Sequence, residues 1–389
     1  MNGRELIAAI YAGEKVPRLP LPGIGPWGET LERWHTEGLG PAEDYYQAMG
    51  LKWEDRAGIP LNLNMVPAFE VKILDKGDRY VTLIDEYGVT KKMIRGDFDR
   101  SQGLKGNAGA MSGMSQWLDF PVKDLRSWRE IYETRFRGDN VKDRLPADWY
   151  SGGRERHVEQ ARTRWVEYFV FPLVGFFGPL REMMGLEGLI FAMADDPSLV
   201  HTIVRDLGDY WLACFAQVLR DGVRLDQFCF FEDMCATKGP LLGPAMFREF
   251  IAPGYKRVIG GLREMGVPQF FTDSDGNLQP LIAELIACGI TSIGPCEVNS
   301  GMEVDQLRRA WPGLVLNGGI DKRAMTRGFT QIDRELERRY TTAWTMGRYL
   351  PSPDHGIPPD VSWSNIKHVA EGCLKWCSRG TPNGVIGNR

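Results

Sequence analysis

The chain has 389 residues, 43% of them hydrophobic and 25% charged, with a formal net charge of −4. A mildly acidic balance without a basic run excludes nucleic acid as the natural partner. No uninterrupted apolar stretch approaches the ~18 residues that a membrane span needs.

Taken in order, residues 1–18 read as a short surface helix without the apolar core of a signal peptide. Residues 18–28 read as a first short strand ending in a Gly/Pro loop, with Trp27 at its mouth, where it lines a pocket or covers the barrel end. Residues 69–95 differ in texture. They alternate apolar and polar side chains, with turn signals at 75–78 and 86–88, and predict an antiparallel β-hairpin or meander. This breaks the α/β rhythm, so it is read as an insertion that covers the pocket or mediates self-association, giving a homodimer. Residues 100–120 are rich in Gly, Ser and Met and predict a loop, either a lid or an ordered connector. Helical patterns come next, at 122–136 and 155–164.

From residue 168 the rhythm is regular. Strand-like runs at 168–176, 227–231, 267–273, 291–297, 314–321 and 348–355 alternate with helical segments. The helix after Gly243 carries a break near Pro253, and Asn277 is placed to cap the helix 278–288. Strands alternating with helices at this spacing predict parallel βαβ units. The fold expected is a single α/β domain over residues 1–389, a (β/α)8 TIM-type barrel. An open doubly wound sheet is the alternative, weakened because no Gly-x-Gly-x-x-Gly follows an early strand. The seven cysteines are odd in number and show no disulfide pattern, which points to reduced, cytoplasmic protein.

In a parallel barrel the C-terminal ends of all strands open on one face, where active sites sit. This sequence places there Phe176 and Phe177, Glu232 and Asp233, Asp273 and Asp275, Cys296 and Glu297, Asp321 and Lys322, and Asp354 and His355. The expected site is a bowl with an aromatic wall and an acidic floor. Asp273, Asp275, His355, Glu232 and Glu297 are the catalytic candidates. Trp27, Phe176, Phe177, Asp233 and Lys322 are the substrate-binding ones. The plainer reading of any single acid is a helix cap. Crowded carboxylates repel, so such a bowl needs a cation, shared protons or basic neighbours. A divalent metal, zinc foremost, held by His355, Asp273, Asp275 and Glu297 is one answer.

Four stretches carry a resemblance: Phe231-Glu-Asp-Met-Cys-Ala-Thr-Lys-Gly-Pro-Leu-Leu-Gly-Pro244, Thr272-Asp-Ser-Asp-Gly-Asn277, Leu316-Asn-Gly-Gly-Ile-Asp321 and His355-Gly-Ile-Pro-Pro-Asp-Val-Ser-Trp-Ser-Asn365. Together with Gly175-Phe-Phe-Gly-Pro-Leu-Arg181 and residues 17–34, they resemble the uroporphyrinogen decarboxylase superfamily, which includes cobalamin-dependent methyltransferases. The resemblance implies a (β/α)8 barrel and an enzyme acting on a small molecule. The decarboxylase's arginine-rich segment after the first strand is missing here, where only Arg33 is near, as is its Phe-Ser-Asp-Ile stretch. The thiol-using methyltransferases hold zinc through a His-x-Cys and a later cysteine, and the matching positions here are Asp273, Asp275 and His355. The resemblance, with these departures, implies metal-assisted methyl transfer from a small, methoxylated substrate to a corrinoid. No Asp-x-His-x-x-Gly signature is present, so the corrinoid is expected on a partner protein. A non-corrinoid lyase, decarboxylase or hydrolase is the alternative.

Overall fold

The computed structural model describes residues 1–52, 55–101, 115–138, 141–170 and 172–379. Most of the Gly/Ser/Met-rich loop expected at 100–120 and the last ten residues lie outside this set.

In chain order, β1 (Arg56–Gly58) is followed by β2 (Lys72–Lys76), β3 (Tyr80–Ile84), β4 (Thr90–Ile94) and β5 (Gln116–Asp119), then by β6 (Trp165–Tyr168) and β7 (Gln227–Phe231). Two short arms, β8 (Cys235–Ala236) and β9 (Gly239–Pro240), precede β10 (Gln269–Asp273), β11 (Ser292–Gly294), β12 (Val315–Ile320) and β13 (Tyr349–Pro353). Seven strands form one parallel sheet in the order β1-β6-β7-β10-β11-β12-β13. β2 to β5 form a separate antiparallel sheet.

The parallel sheet curls. Residues 18–26 run between its two edges. Arg18 donates to both carboxylate oxygens of Asp55, beside β1, at 2.7 and 2.5 Å. Pro26 makes a parallel bridge to Ile357, just past β13. This stretch takes the place of the strand expected there but forms no ladder. Pro20, Pro22 and Pro26 have no N–H to give to one.

Strand alternation sets the layers. On β7, Phe228 and Phe230 are fully buried. They pack on rings outside the sheet, among them Phe215, Trp211 and Tyr255. Cys229 and Phe231 point the other way, into the space the sheet encloses. The helix Pro197–Arg220 shows how the outer layer is made. Asp196 caps it by accepting from Leu199 N, proline starts it, and Leu199, Val200, Ile203, Val204 and Leu207 form its buried stripe.

Several boundaries differ from the sequence reading. The strand expected at 168–176 ends at Tyr168, and the residues after it include Pro172 and a left-handed Gly175. The break expected near Pro253 is a π-type turn at Phe247–Ile251. Proline then sits in the first turn of the helix Ala252–Glu264, where its missing N–H costs nothing. The N-terminal helix Gly3–Ala12 is not a surface helix. Leu6, Ile7, Ile10 and Tyr11 are buried, and the Tyr11 hydroxyl reaches Gln227 on β7 and Ser292 on β11. It plugs the end of the sheet opposite to the C-terminal strand ends. All seven cysteines are buried and free of disulfides. Among the described residues, no helix is long and apolar enough to cross a membrane.

Candidate active site

The C-terminal ends of the parallel strands surround a cavity of about 1390 Å³. Its lining follows a period of two along each strand: Glu167 and Phe169 at the end of β6, Phe231 and Asp233 at the end of β7, Asp273 and Asp275 at the end of β10, and His355 just past β13. The residues between them face the opposite side.

That alternation corrects the expectation for Glu232, Phe176 and Phe177. Glu232 is fully buried behind the bowl. It accepts from Phe176 N at 2.8 Å, Gly178 N at 3.0 Å and the Tyr255 hydroxyl at 2.8 Å. It therefore holds the N-terminus of the helix Phe177–Met184. Burial pushes its carboxyl up to about 7 despite those three donors. Phe176 and Phe177 are fully buried and do not line the cavity. Asp354 is the matching case beside β13. It is buried, accepts from Lys322 N and Val298 N at 3.0 Å each, and burial raises it to about 6.

Glu297 and Lys322 pair with each other at the rim. Lys322 Nζ donates to Glu297 at 2.9 Å. Ser300 and Gly276 N also donate to Glu297, at 2.8 and 3.2 Å. Burial alone would raise Glu297, but the bonds from Lys322 and Ser300 hold it below the usual range. Neither residue lines the cavity.

The acids that do meet in the bowl are Asp233, Asp273 and Asp275. Asp233 adopts a left-handed backbone with φ 44°, which aspartate tolerates better than most residues. Arg181 donates to its carbonyl at 2.8 Å and lies 3.7 Å from its carboxylate. Burial and then Asp275 raise the Asp233 carboxyl, against the pull of Arg181. Asp275 faces His355, with Nε2 2.9 Å from its Oδ2. That hydrogen bond outweighs burial and raises the His355 imidazole, favouring its protonated form. His355 Nδ1 is buried and has no partner among the described residues. Trp27 packs edge-on to His355, 5.3 Å between centroids. Asp273 has neither hydrogen bond nor ion pair on its carboxyl among the described residues. Burial, then Asp233 and Asp275, push it well above the usual range. The shift favours the protonated acid over the carboxylate.

The expected metal set of His355, Asp273, Asp275 and Glu297 is not gathered as one. His355 is bonded to Asp275 and Glu297 to Lys322. No group of three His, Cys, Asp or Glu suited to hold a metal ion exists among the described residues. Burial and the neighbouring acids favour a proton on Asp273, while Arg181 stands beside Asp233 and His355 beside Asp275.

Sequence reasoning missed one wall. The short helix Tyr45–Ala48 brings Tyr45 and Tyr46 to the cavity, with Lys52 just after it. The Tyr46 hydroxyl donates to Pro22 O at 2.6 Å, fixing this wall to the 18–26 stretch. Two adjacent tyrosines in an otherwise polar segment were the available signal. Glu167, ion-paired to Arg56 inside the sheet, was also missed.

Residues 172–376 match the family described as uroporphyrinogen decarboxylase (URO-D). A uroporphyrinogen decarboxylase of Rhodococcus erythropolis is 29% identical over 189 residues, 46% of this chain and 49% of that protein. The match thus spans about half the length of that curated relative. A methyltransferase from Methanosarcina mazei has a similar fold, with TM-score 0.56 and 13% identity over 97% of this chain and 99% of that one. With more than half of its length matched, including Asp233, Asp273, Asp275 and His355, the chain belongs to the uroporphyrinogen decarboxylase (URO-D) family.

Proposed function

We propose that this protein is a methyltransferase that hands a proton to the leaving oxygen of a small, neutral, methoxylated aromatic substrate. The methyl group passes to a corrinoid carried by a partner protein. The observation that carries the reading is the Asp273 carboxyl in the bowl, beside Asp233 and Asp275 and without a counter-charge of its own, so that its protonated form is favoured.

The corrinoid, when docked, supplies the nucleophile that takes up the methyl group. The rest falls to this chain. Trp27, Tyr45, Tyr46, Phe169 and Phe231 offer flat apolar surface to an aromatic ring. As the carbon–oxygen bond breaks, its electron pair stays on oxygen, and Asp273 donates the proton that neutralises it. The His355 imidazolium, oriented by Asp275 through Nε2, has Nδ1 left to donate to the same oxygen. Asp273 is then reprotonated, because three neighbouring carboxylates cannot all remain charged. No step needs a bound metal ion. The fold proposed for the whole chain is a (β/α)8 barrel, with residues 18–26 in the place of the eighth strand.

A carboxy-lyase is the second reading, favoured by the family and by the name of the Rhodococcus relative. The same acids would protonate the carbanion left after loss of CO₂. A substrate with many carboxylates fits poorly, since five acids and one lysine line the cavity, with His355 already paired. Reduced corrinoid and a panel of methoxylated aromatic compounds separate the two. Methyl–cobalt absorbance with release of the phenol supports methyl transfer. No such absorbance with any compound, and CO₂ release from aromatic acids, would replace it with the lyase.

A further inference from the structure

Beneath the bowl lies a second, smaller chamber of about 190 Å³. It adjoins the bowl, since Gly23, Glu167 and Phe169 line both. Phe169 and Phe271 stand at its side with rings nearly perpendicular, 6.5 Å between centroids. Its polar lining comes from Arg56, Glu167, Gln227, Asn317 and Ser352, and the Gln227 side chain is already bonded to Tyr11, Trp165 and Cys229.

Two of these groups are unfinished. Asn317 Nδ2 is buried and has no hydrogen-bond partner among the described residues. Buried amide donors are nearly always paired, so an orphan calls for an explanation. Glu167 meets Arg56 through Oε2 alone. Its Oε1 has no hydrogen-bond partner among the described residues. The chamber therefore offers one donor and one acceptor inside aromatic and apolar walls.

We propose that this chamber is a specificity subsite for an uncharged hydroxyl on the far end of an aromatic substrate. A hydroxyl accepts from Asn317 Nδ2 and donates to Glu167 Oε1, completing both groups at once. A carboxylate would face Glu167 and the acids above it. A cation would face the Arg56 guanidinium. An unsubstituted ring would leave both polar groups unsatisfied. The proposal rests on the aromatic class of substrate given above but not on the methyl transfer itself. It adds that the substrate is two-ended, with its reacting group at the level of Asp273 and a hydroxyl below.

Binding of phenol, toluene and benzoate to the full chain, followed by ligand-observed NMR and calorimetry, tests this without any turnover. Phenol is expected to bind at least tenfold more tightly than toluene, because a site built to hydrogen-bond a hydroxyl rejects the analogue lacking it. Benzoate should bind no better than toluene. Asn317→Leu should bring the phenol-to-toluene ratio within threefold by weakening phenol and strengthening toluene. Equal binding of phenol and toluene to the wild type, no binding of either, tighter binding of benzoate, or an unchanged ratio in Asn317→Leu would each overturn the proposal. Should Asn317→Leu fail to fold, the wild-type ratio alone decides. If the phenol preference holds while no methyl transfer is found, the reaction is wrong and the subsite stands.

Discussion

Glu232→Gln separates a structural carboxylate from a catalytic one, and its effect can be worked out in advance. Glu232 is fully buried, with two backbone N–H groups and the Tyr255 hydroxyl directed at it. Its carboxyl rises from an ordinary 4.5 to about 7 on folding. At about 1.4 kcal/mol per pH unit, that rise corresponds to roughly 3 kcal/mol. The folded protein holds the proton more tightly than the unfolded chain. The resulting stability is therefore fully present below the unfolded value and is lost as pH rises through the folded one. Most of the loss, about 2–3 kcal/mol, falls between pH 5 and pH 8. Glutamine cannot ionise, so the variant lacks this dependence. Its amide NH₂ also confronts an N–H donor, which costs about 1–3 kcal/mol at any pH. Urea denaturation of both proteins at pH 5, 6, 7 and 8, followed by tryptophan fluorescence, gives the difference in stability. Wild type should lead at pH 5, and its lead should shrink by about 2–3 kcal/mol by pH 8. Other titrating groups, such as Asp354, are common to both proteins and cancel. A difference that stays constant over this range would refute the buried, proton-holding Glu232 and the assignment that depends on it.

Asp273→Asn should lower turnover by about 10²–10⁴-fold, the usual worth of a general acid. It should leave the melting temperature unchanged or raised, because one of three crowded acids is removed; a wild-type rate would end its role. The His355 imidazole should titrate above its ordinary value in NMR, assigned by its loss in His355→Gln, and Asp275→Asn should move that titration downward. The stability from this pair is fully present below the unfolded histidine value, near 6.5, and is lost as pH rises through the folded value; an unmoved titration in Asp275→Asn would show the contact is absent in solution. Gly276→Ala should destabilise by about 1–3 kcal/mol in thermal melts, because φ is +80° and a Cβ would lie 2.6 Å from Ala236 O. A chelator should leave turnover unchanged, since Asp233 has Arg181 and Asp275 has His355 beside it; loss of activity restored by zinc would restore the metal ligand set.

The order of residues dictates the rhythm of the chain and the place of its chemistry. Short β-branched and aromatic runs ending in acids, each followed by a helix start, fold as parallel strands with their C-terminal ends on one side. That is why Trp27, Asp233, Asp273, Asp275 and His355 are legible as one group. The same order dictates that adjacent residues at a strand end face opposite ways. Glu232 with Asp233, and Asp354 with His355, are therefore not pairs sharing the bowl, as their adjacency suggests. The alternation that puts Asp233 and His355 inside turns Glu232 and Asp354 outward to the N–H groups of neighbouring backbone. How the acids are neutralised is a property of the folded molecule alone. Lys322 is spent on Glu297 and Asp275 on His355, so Asp273 is left without a counter-charge and its protonated form is favoured. Distances between side chains on different strands set that outcome, and a linear pattern holds no record of them. The same holds for Arg56, Glu167 and Asn317. Each comes from a different strand, and they meet only because the sheet curls around a common axis.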